Sequence, residues 1–294
     1  MKVSVVIATY NGEKYILKQL ESLFTQKRKP DEVIICDDKS WDGTVEVVSK
    51  YIARKHLEGN WHVYVNETRL GYSENFFNAI KKATGDYIFL CDQDDGWFED
   101  KLKEMTDILD KNDDISLLCS EYVPFAQGAE VQDIKKSTAK KMSYNNTVEK
   151  LGIDKDTISS CMEGCTMCFR KSFFDNIEKY RIPRISYNEF IWKMALAENV
   201  CYVYHKALMK RRFYAVNVSK SKTARTKRQI AMLRRRLAGS EMLLDYFKTN
   251  NRDSADVEFL EKNIEAIRLK LELVNDRKLK NAFTLLVNYR QYCE

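Results

Sequence analysis

Leu90-Cys91-Asp92-Gln93-Asp94-Asp95-Gly96-Trp97 follows directly on the apolar residues Tyr87-Ile88-Phe89. The run from Tyr87 to Leu90 reads as a buried strand. Three carboxylates, Asp92, Asp94 and Asp95, then fall within four residues. Alternation along a strand would point Asp92 and Asp94 the same way. Carboxylates so crowded repel one another unless a cation neutralises them. Oxygen ligands suit a hard divalent ion, Mg²⁺ or Mn²⁺, and an aspartate pair that leaves such an ion partly hydrated can share it with a diphosphate. The competing reading is an acidic turn, since Asp and Gly are ordinary turn residues.

Working outward, Val3 to Ile7 is a β-branched run that predicts a buried strand, and Asn11 is placed to cap the helix after it. Tyr15 or Ile16, Leu20, Leu23 and Phe24 give that helix one apolar face. Glu32 to Cys36 predicts a second strand, ending in Asp37-Asp38, and Trp41-Asp42-Gly43-Thr44 opens a second helix. Val63 to Val65 is a short third strand, and Tyr72 to Ala83 a third helix. Strands alternating with helices predict an α/β fold with a parallel sheet. In such sheets ligands lie off the carboxyl ends of the strands, where Asn11, Asp38, Asp92 and Asp94 all fall. No Gly-x-Gly-x-x-Gly turn and no phosphate loop with Gly-Lys-Ser/Thr is present, which excludes the common dinucleotide and nucleoside-triphosphate folds. The charge of a bound diphosphate then needs another counterion.

The 294 residues suffice for one large domain or a domain with an appendage. No apolar run approaches the roughly 20 residues of a membrane span, and the apolar start, Met1 to Ala8, is too short for a signal peptide. A cytoplasmic protein with its eight cysteines reduced is the expectation. The net charge of +6 is unevenly spread: no Asp or Glu occurs between Asn199 and Ser240, where twelve Lys or Arg lie. Such a block implies an anionic partner, either a diphosphate, an acidic membrane surface or nucleic acid. For nucleic acid it has no recognition motif and few aromatics, so none is expected.

Three ordered blocks carry a resemblance: Val3-Ser4-Val5-Val6-Ile7-Ala8-Thr9-Tyr10-Asn11-Gly12, Cys36-Asp37-Asp38-Lys39-Ser40-Trp41-Asp42-Gly43-Thr44, and Asp92-Gln93-Asp94-Asp95-Gly96-Trp97. Together they resemble glycosyltransferase family 2, inverting enzymes of the GT-A fold. The Asp-Gln-Asp-Asp-x-Trp form is most similar to a bacterial rhamnosyltransferase-like branch that builds capsule, O-antigen and related surface polysaccharides. The resemblance implies that Thr9, Tyr10 and Asn11 line a nucleotide pocket and that Asp38 hydrogen-bonds the base or ribose. Asp92 and Asp94 would hold the metal on the sugar-nucleotide diphosphate, and Asp95 would orient the metal or the donor sugar. It covers residues 1–220, with a nucleotide-sugar half at 1–110 and an acceptor-side half at 111–220, and leaves a helical extension at 221–294.

The second half carries fewer signals. Glu121 to Val148 is polar and reads as a long loop or acceptor-side insertion. Gly164-Cys165-Thr166-Met167 also resembles the branch, where this segment lines the acceptor side of the donor site. Cys161, Cys165 and Cys168 have a spacing used by some iron–sulfur clusters, against which stands the ordinary burial of small cysteines. Inverting transfer needs a base for the acceptor hydroxyl. Where the branch usually has His-Asp this chain has Asn188-Glu189, so the resemblance makes Glu189 the base, with a first-turn acid favoured by the helix dipole as the plain alternative. Arg212 and Asn217 match a Tyr-Arg-x-His-x-x-Asn pattern of donor-binding residues, but Tyr214 replaces its His. His56, His62 and His205 match no catalytic position. Beyond Ser221, Ile230, Leu233, Leu237, Leu244 and Phe247, then Val257, Leu260, Ile264, Ile267, Leu271 and Val274, form apolar stripes of a helical hairpin, with a shorter helix from Leu279. The stripes suit packing within the chain, with a homodimer seam or docking at the acidic inner face of the cell membrane as alternatives. The expected activity is metal-dependent transfer of a sugar from dTDP-rhamnose or a UDP-hexose to a glycan or polyprenyl-linked acceptor; the alternative is a catalytically degenerate member that binds a partner.

Overall fold

The structure, a computed structural model, describes residues 1–126, 142–214, 222–252, 254–276, 284, 287–289 and 292. The chain forms two compact units: one of residues 1–150, 162–176 and 200–215, the other of residues 151–161, 177–199 and 216–294. The units cut across the linear boundary at 220, because two segments of the middle of the chain pack with the C-terminal helices.

The first unit is built on β1 (Val3–Thr9), α1 (Ile16–Phe24), β2 (Glu32–Asp37), α2 (Thr44–Lys55), β3 (Trp61–Val65), α3 (Tyr72–Lys82) and β4 (Tyr87–Asp92). Strands β3, β2, β1 and β4 lie side by side and all parallel. β1, β2 and β4 are buried on both faces, as expected of a parallel sheet covered by its crossover helices, while the edge strand β3 is exposed at Tyr64 and Val65. The register sets the functional end: Thr9 pairs with Asp37 and Ala8 with Asp92, so three strands finish level at their carboxyl ends. The entry to β4 is tight, since a Cβ at Gly85 would lie 2.5 Å from Ser4 Oγ and 2.7 Å from Ser4 N.

After β5 (Gly96–Trp97) and α4 (Lys101–Lys111) the sheet becomes mixed. β6 (Leu117–Ala126), β7 (Val148–Leu151), β8 (Met167–Arg170) and β9 (Cys201–Phe213) extend it in the order β4-β8-β6-β9-β5, with β7 on β9. β8 is antiparallel to β4 and β6, while β6 and β9 are parallel. The polar loop expected from Glu121 is corrected at its start: β6 continues to Ala126. Pairing with β9 outweighs the polar composition there, through two register shifts around Glu121. Residues 127–141, the middle of that expected loop, lie outside the described residues. Where the loop resumes, buried Glu121 accepts the backbone N–H groups of Ser143 (2.7 Å) and Tyr144 (2.9 Å) and meets His205 Nδ1 at 2.9 Å.

The second unit contains α5 (Lys155–Ser159), α7 (Tyr187–Ala197), and the long helices α8 (Lys222–Thr249) and α9 (Ser254–Asp276); α6 (Lys171–Ile177) belongs to the first unit up to Asn176. α7 is buried almost all round, with Phe190, Ile191, Met194 and Ala195 fully so. The expected hairpin forms, but α8 buries Met242, Leu243 and Tyr246 besides Leu233 and Phe247, because it packs on α7 as well as on α9. Ser240 Oγ donates to Asn263 Oδ1 at 3.0 Å between the two long helices. The short helix expected from Leu279 falls mostly outside the described residues. Among the described residues, no helix is long and apolar enough to cross a membrane.

Candidate functional site

The three level strand ends are tied together by side chains. Thr9 Oγ1 donates to Asp37 Oδ2 (2.8 Å), and Asp37 also accepts Ser40 N (2.7 Å) and Ser40 Oγ (2.6 Å). Asn11 is in the left-handed region, φ 49°, and its Oδ1 accepts Trp41 N at 3.1 Å. The expected helix cap is therefore corrected: Asn11 joins the first strand end to the second, and α1 starts later, at Ile16. Gln93 grips the Tyr10 backbone from both sides, accepting its N–H and donating to its carbonyl, each at 3.0 Å. Gly12 makes this possible, since a Cβ there would lie 2.2 Å from Gln93 Oε1. The Tyr10 ring carries the Arg69 guanidinium 4.1 Å from its centroid. Asp38 is buried and accepts Leu70 N (2.6 Å), Gly71 N (2.8 Å) and Asn66 Nδ2 (3.1 Å), so its carboxylate is engaged in shaping the turn that carries Arg69.

The acidic stretch sits at the end of β4. Strand alternation stops at Asp92 and the chain turns through Gln93 and Asp94. As a result Asp92 is grouped with Asp95, and Asp94 points elsewhere. Ligand atoms of Asp92, Asp95 and Cys165 all lie within 4.8 Å of one another, whereas Asp94 Oδ2 accepts the Tyr214 hydroxyl. Asp95 is 4% exposed. Its Oδ1 accepts Arg212 N at 2.8 Å, and its buried Oδ2 has no partner. Burial, then the charge of Asp94, pushes the Asp92 carboxyl up to about 6; burial, then Asp92, pushes Asp95 up to about 7. An orphaned buried carboxylate oxygen beside a second reluctant carboxylate is a place short of positive charge. These residues fit a divalent cation; Asp95 lies beside Asp92 there, and Asp94, the other carboxylate of the expected pair, accepts the Tyr214 hydroxyl.

Basic groups surround this centre. Arg212 Nε donates to the Asp94 carbonyl at 2.9 Å, and the Arg212 guanidinium lies over Tyr15 and Phe125, 4.6 Å from each ring. Arg211 Nη1 is 3.6 Å from Glu163 Oε1, and Glu163 and Asp92 are among the negative groups that keep its guanidinium charged despite burial. Lys101, which the sequence reading passed over, is fully buried: Nζ donates to the Cys165 carbonyl (3.0 Å) and Ser120 Oγ (3.4 Å) and sits 4.6 Å from the Trp97 ring centroid. Burial draws its pKa down, while Cys165, Cys91, Cys168 and Asp95 oppose that. Its only sequence signal is a lysine four residues after Trp97, at the start of α4. Gly164 and Cys165 are buried in a 3₁₀ turn, Gly164–Thr166, leading into β8. Among the described residues no three cysteines gather their sulfurs, so the Cys161, Cys165 and Cys168 spacing makes no cluster site.

Glu189 belongs to the second unit and is 5% exposed. Arg235 Nε of α8 lies 2.9 Å from its Oε2, close enough for an ion pair but without hydrogen-bond alignment. Lys193 Nζ, 3.9 Å from Glu189 Oε1, donates to the Ile158 carbonyl at 2.6 Å. A Cβ at Gly239 would meet Lys193 Cε at 2.5 Å and Glu189 Oε1 at 3.2 Å, so this glycine lets α8 approach the pair. Asn217 lies outside the described residues.

A family model of glycosyl transferase family 2 matches residues 4–176. The poly(ribitol-phosphate) beta-N-acetylglucosaminyltransferase TarS of Staphylococcus aureus is 34% identical over 114 residues, 38% of this chain and 19% of that protein. An uncharacterized glycosyltransferase of Rickettsia prowazekii is 23% identical over 97% of this chain and 88% of its own length. The chain spans 39% and 32% of the length of the first curated relatives it matches. A crystal structure of TarS in complex with UDP-GlcNAc covers 100% of this chain and 93% of its own at TM-score 0.64 and 20% identity. The mannosyltransferase PcManGT from Pyrobaculum calidifontis, in complex with GDP-Man and Mn²⁺, covers 98% and 88% at TM-score 0.56 and 14% identity.

Proposed function

The chain belongs to glycosyl transferase family 2 and has the GT-A fold, and from this premise we propose that it transfers a sugar from a nucleotide-diphospho-sugar to a glycan or lipid-linked acceptor of a bacterial surface polysaccharide. The observation that carries the reading is the Asp92/Asp95 pair with its orphaned oxygen, level with the clamped Tyr10 at the strand ends. TarS, seen with UDP-GlcNAc, favours a UDP-hexose over dTDP-rhamnose as donor.

In this reading Tyr10 and Arg69 hold the base between ring and guanidinium, and Asp38 keeps Arg69 in place through the Leu70 and Gly71 amides. Thr9 and Asn11 fix the loop beneath the nucleotide. Arg211 and Arg212 supply positive charge to the diphosphate, and Gly164 and Cys165 border the sugar. Asp92, with Asp94 or Asp95, would hold a divalent cation, which would supply positive charge to neutralise the leaving diphosphate. Glu189 takes the proton of the acceptor hydroxyl as its oxygen bonds to the anomeric carbon. This assignment rests on its place in the motif, and its ion pair with Arg235 fixes the carboxylate.

The test is a thermal-shift screen of UDP- and dTDP-sugars with and without Mn²⁺ or Mg²⁺, since a ligand of the native state raises Tm by mass action. A metal-dependent shift with one nucleotide, abolished by Asp92→Asn, is the expected result. The second reading, a degenerate member that binds a partner, draws on the Tyr214 hydroxyl held by Asp94 and on the buried Glu189. Absence of any donor shift with metal present would favour it.

A further inference from the structure

We propose that Lys101 is a positioning residue of the donor site, whose ammonium fixes the Gly164–Thr166 turn so that the turn can hold the sugar half of a nucleotide-sugar. The inference rests on the donor reading above and extends it to a buried residue that acts through the turn. Lys101 is fully buried at the start of α4. Its Nζ lies 3.0 Å from the Cys165 carbonyl, 3.4 Å from Ser120 Oγ, 3.5 Å from Met209 Sδ and 4.6 Å from the Trp97 ring centroid. Among the described residues no carboxylate stands at ion-pair distance from it. A buried ammonium with no anion beside it is costly, and a methionine of nearly the same length would fill the space. What the ammonium adds, and a thioether cannot, is a strong donor for one backbone carbonyl, steadied by the face of an aromatic ring.

The place of that carbonyl gives the reason. Strand β8 begins at Met167, and its pairing with β6 begins there too, opposite Cys119. Cys165 lies in the 3₁₀ turn before this ladder, where the sheet no longer holds the chain. The turn is closed locally by Thr166, whose N–H (3.0 Å) and hydroxyl (2.6 Å) both donate to the Glu163 carbonyl. Lys101 supplies the hold from outside the turn, reaching it from β5 through Trp97, from β6 through Ser120 and from β9 through Met209. The same strands bear other residues of the site: Asp95 immediately precedes β5, and Arg211 and Arg212 follow Met209 on β9. One ammonium therefore sets the turn that borders the sugar against the strands that supply charge to the diphosphate.

The experiment has two arms on the full-length protein. The first is amide hydrogen exchange without donor. Lys101→Met should speed exchange in peptides spanning 163–168 by about tenfold or more, the worth of a hydrogen bond to a charged group, and leave peptides spanning 3–9 and 87–92 unchanged. The second is calorimetry with UDP and with UDP-GlcNAc in the presence of Mn²⁺. The variant should bind UDP as wild type does, because Tyr10 and Arg69 are untouched, and UDP-GlcNAc about tenfold more weakly. Lys103→Met, which removes an exposed lysine from the same helix, should match wild type in both arms. Lys101→Gln, which keeps an N–H donor on a shorter stem, should fall between the two and serves if Lys101→Met does not fold. Unchanged exchange at 163–168, exchange raised equally along the chain, unchanged UDP-GlcNAc affinity, or an equal loss of UDP and UDP-GlcNAc would each overturn the proposal. A purely structural lysine predicts the second or the fourth of these. Wild type that binds neither UDP nor UDP-GlcNAc would refute the donor reading instead, and the exchange arm, which needs no donor, would still decide whether Lys101 holds the turn.

Discussion

Asp95→Asn should make the metal-free protein more stable, and more so at higher pH. In the folded chain the Asp95 carboxyl is pushed from its ordinary 3.8 up to about 7, by burial first and by Asp92 second. A carboxyl whose folded pKa is raised contributes stability that is fully present below its unfolded pKa and lost as pH rises through the folded one. At about 1.4 kcal/mol for each pH unit between the two values, the ceiling is ~4 kcal/mol. Asp92 shares the same repulsion, so about half of this, ~2 kcal/mol, is the expected net cost of ionised Asp95 at pH 8. Asparagine removes it without disturbing the frame. Its Oδ1 can still accept Arg212 N, and its Nδ2 replaces the orphaned Oδ2 beside Asp92. The assay is urea or thermal unfolding of wild type and variant, in chelator, from pH 4 to pH 8. The curves should meet near pH 4 and separate through pH 5 to 7, reaching roughly 4–8 °C in Tm at pH 8. Saturating Mn²⁺ should raise wild type toward the variant. A variant as stable as wild type at every pH, or less stable at pH 8, would refute the account of an acidic cluster short of positive charge.

Arg69→Ala removes the cation over the Tyr10 ring, a contact of about 0.5 to 2 kcal/mol, and should weaken UDP-sugar binding by calorimetry about 3- to 30-fold with little change in turnover of bound donor. His205→Gln tests a clamp in which Nδ1 meets Glu121 at 2.9 Å and Nε2 meets Glu149 at 2.7 Å. Burial lowers the His205 pKa, but the two carboxylates outweigh it and the net direction is up. Its contribution is therefore present below about pH 6.5 and lost as pH rises through the raised value, so the variant's unfolding deficit should be largest near pH 6 and small at pH 9. Gly85→Ala drives a Cβ against the backbone N of Ser4 at 2.7 Å, which cannot rotate away, and should cost about 1 to 3 kcal/mol by chemical denaturation.

The half of the fold that could be read from sequence is the half whose elements are local. Val3 to Ile7, Glu32 to Cys36 and Tyr87 to Leu90 are apolar apart from Ser4 and Glu32, as a sheet covered on both faces requires, and the helices between them carry single apolar stripes. Those signals place Asp38 and Asp92 at strand ends without any tertiary knowledge. What they cannot supply is the conformation after a strand stops. The Asp92/Asp94 pairing assumed that alternation continues, but the turn at Gln93 and Asp94 brings Asp95 to Asp92. The contact of Lys101 with Cys165 was illegible for a related reason: the two are 64 residues apart and meet only once the sheet is assembled. The loop expected from Glu121 was begun too early, because pairing with β9 carries β6 on to Ala126 despite a polar composition.

The boundary at 220 marks a change of composition, which the two compact units do not follow. The change at Ser221 is real: apolar β-type runs give way to long helical stripes. A change of element type need not be a change of packing partner, however. Helix α7, between Tyr187 and Ala197, is buried nearly all round, its Glu189 and Lys193 included, so it must be enclosed by something its own sequence does not name. Part of what encloses it is α8, which meets the Glu189 and Lys193 pair with Arg235 and Gly239, residues one helical turn apart. An ion pair nearly out of contact with water is expensive to leave half-made, and a glycine inside a helix sacrifices about 1 kcal/mol of helix propensity unless space demands it. Both features are explained by close approach of α8 to α7 at this point. The C-terminal helices thus belong to the compact unit that carries the candidate base, and deleting them at the compositional boundary would uncover a buried, mostly apolar helix and strip Arg235 from Glu189. A shortened protein that lost transfer would consequently say nothing about Glu189 itself, whereas Glu189→Gln in the full chain addresses it directly.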